Sequence, residues 1–239
     1  MNDSLQIELA IDVQKLNADL HICLQTQWKE HFNDQDYMGS WTAIALRSQS
    51  GNAQDIFAND TDQPFVNTPL LFSCTYFQEL LEQLLFEKET VRLLRLQPGS
   101  IVKEHRDNGL AYRFGCFRLH IPIVTAAAVS FKVGGKNIPM KQGECWYADF
   151  DLPHSVINDS EQERIHLVID GKRNAWTDEL FAKAGYDFEE EKRKNDYSIE
   201  TKLKMIEQFR LMNTPASDIM IKKLEAEINP TMNNTEHGK

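Results

Sequence analysis

The sequence predicts a mainly β fold with flanking helices, organised as a jelly-roll, cupin-like barrel with C-terminal helices added to it. Three observations predict it. Residues 90–170 break into about eight short strand-like runs separated by turn signals. Apolar residues recur at helical spacing before that region and again in the tail. No internal repeat interrupts the pattern.

The elements follow in order. Asp12 reads as an N-cap, with Val13, Leu16, Leu20, Leu24 and Trp28 at helical spacing behind it. Residues 39–47 read as a strand. Residues 48–69, rich in Asn, Asp, Gln, Gly and Pro, read as a loop long enough to line or cover a site. Tyr76, Leu80, Leu81, Leu84 and Leu85 predict a second helix. Strands are then expected at 90–96, ending at the Pro98-Gly99 turn, and at 100–105, 113–124, 127–133, 138–140, 145–148, 155–158 and 164–170. Gly134-Gly135 marks a tight turn between two of them. In the tail, Ile199, Leu203, Ile206 and Phe209 form an apolar stripe. Thr214 as N-cap and Pro215 at the first helical position open a last helix carrying Met220, Leu224 and Ile228. The organisation expected is a barrel domain at 1–178, a helical extension at 179–229 and a polar, disordered tail at 230–239.

Composition narrows the class. With 239 residues, 41% hydrophobic and 10% aromatic, the chain can bury a substantial core. Its formal net charge of −10 counts against a nucleic-acid partner, which needs a basic surface. No apolar stretch reaches the ~18–20 residues of a membrane span. The start, Met1-Asn2-Asp3-Ser4, has neither a basic n-region nor an apolar h-region, so no signal peptide is expected. Cys23, Cys74, Cys116 and Cys145 are scattered without a CxxC pair, which reads as reduced thiols in a cytoplasm.

The chemistry is concentrated in a few residues. His105-Arg106-Asp107 forms a His-x-Asp tripeptide after the Pro-Gly turn, and His154 follows some fifty residues later. Alternation along a strand puts His105 and Asp107 on one face. Two histidines and a carboxylate can occupy one face of a mononuclear non-haem iron and leave the opposite positions open. Arg164 opens the apolar run Ile165-His166-Leu167-Val168-Ile169-Asp170. A guanidinium there is costly unless an anion meets it, and it suits a dicarboxylate co-substrate. By the same parity Arg118 shares a face with His120, and Arg164 shares one with His166, Val168 and Asp170. Arg47 and Arg95 lie on predicted strands and are read either as structural salt-bridge partners or as anchors for a substrate carboxylate.

Leu94-Arg95-Leu96-Gln97-Pro98-Gly99, His105-Arg106-Asp107, Arg118-Leu119-His120-Ile121-Pro122, Gly143-Glu144-Cys145-Trp146-Tyr147 and the segment through His154, Asn158 and Arg164 resemble the aspartyl/asparaginyl β-hydroxylase family of iron(II)- and 2-oxoglutarate-dependent dioxygenases. The resemblance implies the double-stranded β-helix fold, with His105, Asp107 and His154 as ligands to Fe(II). It implies that Arg164 pairs with the distal carboxylate of 2-oxoglutarate, that Arg118 and His120 contact the carboxylate nearer the metal, and that O2 is the oxidant. Asp107 departs from the animal enzymes that name the family, where two histidines alone hold the metal. The full triad is similar to that of bacterial relatives that hydroxylate free amino acids such as proline. The expected substrate is therefore an amino acid, free first and in a peptide second. Two rivals stand beside this reading. One is a metal-binding cupin with non-oxygenase chemistry, and the other is a non-catalytic sensing or binding module. The C-terminal helices are read as a lid or buttress, or as the interface of a homodimer.

Overall fold

The computed structural model describes residues 2–58, 63–195, 198–212 and 214–228. The chain opens with strand β1 (Ser4–Ile7), helix α1 (Val13–Leu24) and the two-residue strands β2 (Lys29–Glu30) and β3 (Tyr37–Met38). Strand β4 (Trp41–Ser48) leads through β5 (Val66–Asn67) to helices α2 (Pro69–Phe72) and α3 (Thr75–Gln83). Then come β6 (Lys88–Leu96), β7 (Ile101–His105), β8 (Cys116–Val124), β9 (Val129–Val133), β10 (Lys136–Asn137), β11 (Cys145–Ala148), β12 (His154–Asn158) and β13 (Arg164–Lys172). Helices α4 (Ala175–Lys183), α5 (Phe188–Asn195), α6 (Ile199–Met212) and α7 (Pro215–Ile228) complete the chain.

The strands form two antiparallel sheets. The larger has eight strands in the order β1-β11-β8-β13-β6-β4-β2, with β5 pairing β4. The smaller has five, β10-β9-β12-β7-β3. Their inner faces share one apolar core. It draws Trp41, Leu94, Leu96 and Val168 from the first sheet and Val102, Phe131, Val133 and Val156 from the second. Among the described residues no strand pair joins the two sheets. The expected barrel is thus an open, two-sheet jelly roll rather than a closed cylinder.

Local chemistry explains most boundaries. The Asp12 carboxylate accepts hydrogen bonds from the Gln14 and Lys15 N–H groups and starts α1 as expected. Gly134 and Gly135, with φ of 56° and 77°, close the β9–β10 hairpin. No strand forms at the expected 138–140; the two-residue strand Lys136–Asn137 stands just before it. Pro139, which has no N–H to donate, stops the ladder. The second helix ends at Gln83, leaving Leu85 outside it and exposed. Strand β13 is pinned at its far end by Gly171, where a Cβ would lie 2.3 Å from Phe86 Cε2. The strand also shifts register twice, between Ile165 and His166 against β8 and between Ile169 and Gly171 against β6.

Two compact units divide after Asp187 rather than after residue 178. Helix α4 explains the difference. Its Phe181 is fully buried and stacks on Tyr112 at 3.8 Å, so the helix completes the core of the first unit. The second unit contains α5, α6 and α7. In it Ile206 and Leu224 are buried, and Lys202 pairs with Glu227 at 3.3 Å. The Thr214 hydroxyl accepts from the Ser217 N–H at 3.1 Å, the cap expected for α7. The tail expected to be disordered, 230–239, lies outside the described residues. No described helix is long and apolar enough to cross a membrane.

Candidate active site

His105 is the last residue of β7 and His154 the first of β12, and the two strands pair with His154 opposite His105. The imidazole rings therefore meet, with centroids 4.2 Å apart. Asp107 lies two residues beyond the strand, where its N–H donates to the Phe150 carbonyl at 3.0 Å. One ligand atom from each of His105, Asp107 and His154 lies within 4.8 Å of the others. Each imidazole is oriented by its own chain. Nδ1 of His105 lies 2.8 Å from the Lys103 carbonyl, and Nδ1 of His154 lies 3.0 Å from the Leu152 carbonyl. A carbonyl only accepts, so both Nδ1 atoms carry the proton and both Nε2 lone pairs are free to ligate. Burial pushes His154 down to about 4, so it is neutral near pH 7. This donor set fits a divalent iron bound on one face.

The larger sheet brings a charged network against that triad. Register places Asp170 opposite Arg118 and Val168 opposite Arg92. Arg118 donates through Nε to Asp170 Oδ1 at 2.6 Å and through Nη1 to Asp107 Oδ2 at 2.6 Å. Arg92 and Thr90 donate to Asp170 Oδ2 at 2.9 and 2.6 Å. Burial alone would raise both carboxyls. At Asp170 the Arg118 and Arg92 guanidiniums override it and hold the group well below the usual range. At Asp107 Arg118 does so, helped by His154 and His105. The two guanidiniums share Asp170 unequally. Burial pushes Arg92 down, whereas Arg118 is held up against its own burial by the two acids it touches.

Arg164 differs from both. It is 3% exposed and has no acidic partner among the described residues. Its Nη2 donates to His166 Nδ1 at 2.8 Å, its guanidinium carbon lies 5.6 Å over the Phe131 ring, and its Nε has no partner. Burial pushes it down to about 9. A cation held so deep without a counter-charge is suited to an anion arriving from outside. His120 stacks on Phe150 at 5.2 Å and lies within 3.3 Å of His166, with Nε2 unpartnered.

All of the residues expected at the site, His105, Asp107, His154, Arg118, His120 and Arg164, line one cavity of about 670 Å3. His31 stacks on Trp41 at 3.6 Å along its wall, and Ala58 and Phe65 from the 48–69 segment line it too. Arg118 thus reaches the cavity with its hydrogen bonds directed to Asp107 and Asp170. Arg47 and Arg95 do not line the cavity. Arg95 donates to Thr42 Oγ1 at 3.1 Å and stacks 4.5 Å over Trp28, while Arg47 donates to the Lys88 carbonyl and to Asn67. The inward arginine of β6 is Arg92, which sequence reasoning missed. Alternation groups Arg92 with Leu94 and Leu96 and Arg95 with Val91 and Leu93, so both faces are apolar and the sequence does not mark the inner one.

Comparison with known proteins gives a consistent result. The family model for aspartyl/asparaginyl beta-hydroxylase matches residues 11–174. The chain is 28% identical over 172 residues to an L-proline cis-4-hydroxylase of Rhizobium meliloti (strain 1021), covering 71% of this chain and 60% of that protein. It is 25% identical over 167 residues to L-proline cis-3-hydroxylase 1 of a Streptomyces species, covering 68% and 57%. The chain therefore spans 57–60% of the length of these two curated relatives. A solved oxidoreductase of the 2OG-Fe(II) oxygenase family from Burkholderia pseudomallei superposes with a TM-score of 0.51 at 11% identity, over 72% of this chain and 87% of that one. That likeness is one of fold.

Proposed function

This chain belongs to the aspartyl/asparaginyl beta-hydroxylase family, and from that premise we propose that it is an Fe(II)- and 2-oxoglutarate-dependent dioxygenase hydroxylating an unactivated C–H of an amino acid. The observation that carries the reading is the conjunction, in one cavity, of a complete two-histidine, one-carboxylate donor set and a buried guanidinium without an acid. Non-oxygenase cupin chemistry and simple sensing have no use for that cation.

His105, Asp107 and His154 would hold the iron, and Arg164 would take the distal carboxylate of the co-substrate through a charge-assisted pair. Iron held there supplies the redox chemistry that couples decarboxylation of 2-oxoglutarate by O2, with release of succinate and CO2, to insertion of one oxygen atom into the substrate. The protein's part is positional. Arg118 fixes the Asp107 carboxylate at 2.6 Å and so orients a ligand that would otherwise rotate. His120, stacked on Phe150, would take the co-substrate carboxylate nearer the metal. Trp41, Phe131 and Phe150 keep the cavity walls apolar and limit the water that competes for the oxidant. The relatives named as proline hydroxylases make a free amino acid the first substrate to test and a peptide the second. A cytoplasmic location is part of the same reading. A homodimer through the C-terminal helices remains part of the proposal, since Ile199, Leu203 and Leu211 are exposed on α6. A screen of free amino acids for stimulated succinate release, with mass detection of a product heavier by one oxygen atom, tests the function. Succinate release that no amino acid or peptide stimulates would overturn the substrate assignment, and no iron-dependent succinate at all would overturn the reaction.

A further inference from the structure

A second cavity, of about 440 Å3, lies against the inner end of β13. Arg164 and Phe131 line it as well as the metal-side cavity, so their side chains form the partition between the two. His166 lines the rear cavity alone.

The hydrogen bonds fix what His166 presents there. Arg164 Nη2 lies 2.8 Å from His166 Nδ1, and a guanidinium has only donors to offer. His166 Nδ1 is therefore an acceptor, and His120 Nδ1, 3.3 Å away, approaches the same atom. Burial, then the neighbouring Arg164, keeps this imidazole neutral, so its proton sits on Nε2. His166 is 1% exposed and Nε2 has no partner. Arg164 Nε is likewise buried and unpartnered. Two buried N–H donors on residues that line the rear cavity thus lack acceptors, and no Asp or Glu is among the described residues that line it. Val129, Ile138 and Met140 supply apolar wall.

We propose that the rear cavity is a second binding site, for a short aliphatic monocarboxylate. Its carboxylate accepts from His166 Nε2 and Arg164, and its alkyl chain lies along Ile138 and Met140. Because one guanidinium faces both cavities, an anion behind it competes with the distal carboxylate of 2-oxoglutarate without touching the metal ligands. The competition rests on the function proposed above, whereas the binding does not.

Hexanoate is the probe. Titrated into the metal-free full-length protein at pH 7.5, it is expected to bind saturably and to shift the His166 Nε2 resonance in imidazole 15N spectra. His105→Ala should bind it equally well. Ala127→Phe, a change at an exposed position lining the rear cavity, should weaken it at least ~10-fold. Zinc-loaded Ala127→Phe should still bind 2-oxoglutarate. In the active enzyme hexanoate should raise the 2-oxoglutarate KM and leave kcat unchanged. The proposal is overturned by no saturable binding at about 10 mM, by binding that requires a metal, or by equal binding to Ala127→Phe. An enzyme without turnover would count against the proposed function and leave the metal-free titration decisive for this site.

Discussion

Replacing Arg164 with methionine should make the ligand-free protein more stable while removing its hold on 2-oxoglutarate. Burial pushes the guanidinium down to about 9, and the displacement from an ordinary guanidinium corresponds to roughly 5 kcal/mol of destabilisation. The sign follows from the direction. A cation whose folded-state pKa is depressed destabilises the fold wherever it stays charged, so the cost is fully present below about pH 9 and is relieved above it. Methionine removes that cost but also the hydrogen bond to His166, about 1 kcal/mol, and the approach to the Phe131 ring, about another 1 kcal/mol. The net expectation is a gain of about 3 kcal/mol, or about 6–12 °C in Tm for a chain of this size. Differential scanning fluorimetry at pH 7.5 measures it directly. With zinc present, 2-oxoglutarate should raise the Tm of the wild type and leave that of Arg164→Met unmoved. A Tm that is unchanged or lower in the variant would refute the reasoning, because Arg164 would then already have its counter-charge within the protein.

Three further outcomes are expected. Asp107→Ala should weaken binding of a divalent metal, followed calorimetrically with cobalt or zinc, by at least ~100-fold and abolish iron-dependent succinate formation; wild-type affinity would remove Asp107 from the donor set. Asp170→Asn should destabilise the fold by about 3–5 kcal/mol in urea unfolding, since Arg92 loses the acid it pairs with among the described residues and Arg118 one of two. Asp170 is held well below the usual carboxylate range, so its contribution is complete above about pH 5 and lost as pH falls below about 4, and the acid limb of the stability curve should flatten in the variant. A fragment ending at Asp187 should unfold cooperatively near the temperature of the full-length protein's first transition, whereas one ending at residue 178 loses Phe181 and about 3–5 kcal/mol with it; equal stability of the two would show that α4 is peripheral.

How far the site was legible in advance depended on the range of the information required. Strand alternation is local, so the shared face of Arg118 and His120, and that of Arg164, His166 and Asp170, could be read directly and agree with the register found. Pairing between distant strands is not local. Nothing around His154 announces that it lies opposite His105, and nothing around Asp170 announces that it binds Arg118 and Arg92. Arg92 was passed over for Arg95 because an arginine on a strand looks the same from either side until the packing of Trp41 and Leu94 shows which face is inner. The strand expected at 138–140 failed because its apolar residues were weighed above the proline among them. The boundary expected at residue 178 falls inside helix α4, whose membership of the first unit comes from a tertiary partner, Tyr112.

Strand β13 carries Arg164 and Asp170 six residues apart, about 20 Å at about 3.3 Å per residue, and both must face inward at once. Its two register shifts and the contact between Gly171 and Phe86 lock that spacing. A one-residue slip between the two would turn Arg164 or Asp170 outward, an insertion putting Ile165 or Ile169 in its place and a deletion Glu163 or Gly171. Descendants of this gene can therefore change the 48–69 segment, which lends Ala58 and Phe65 to the cavity wall, but they cannot alter the length of β13 and remain functional. Libraries aimed at new substrates should vary loop length there and leave the strand's residue count intact.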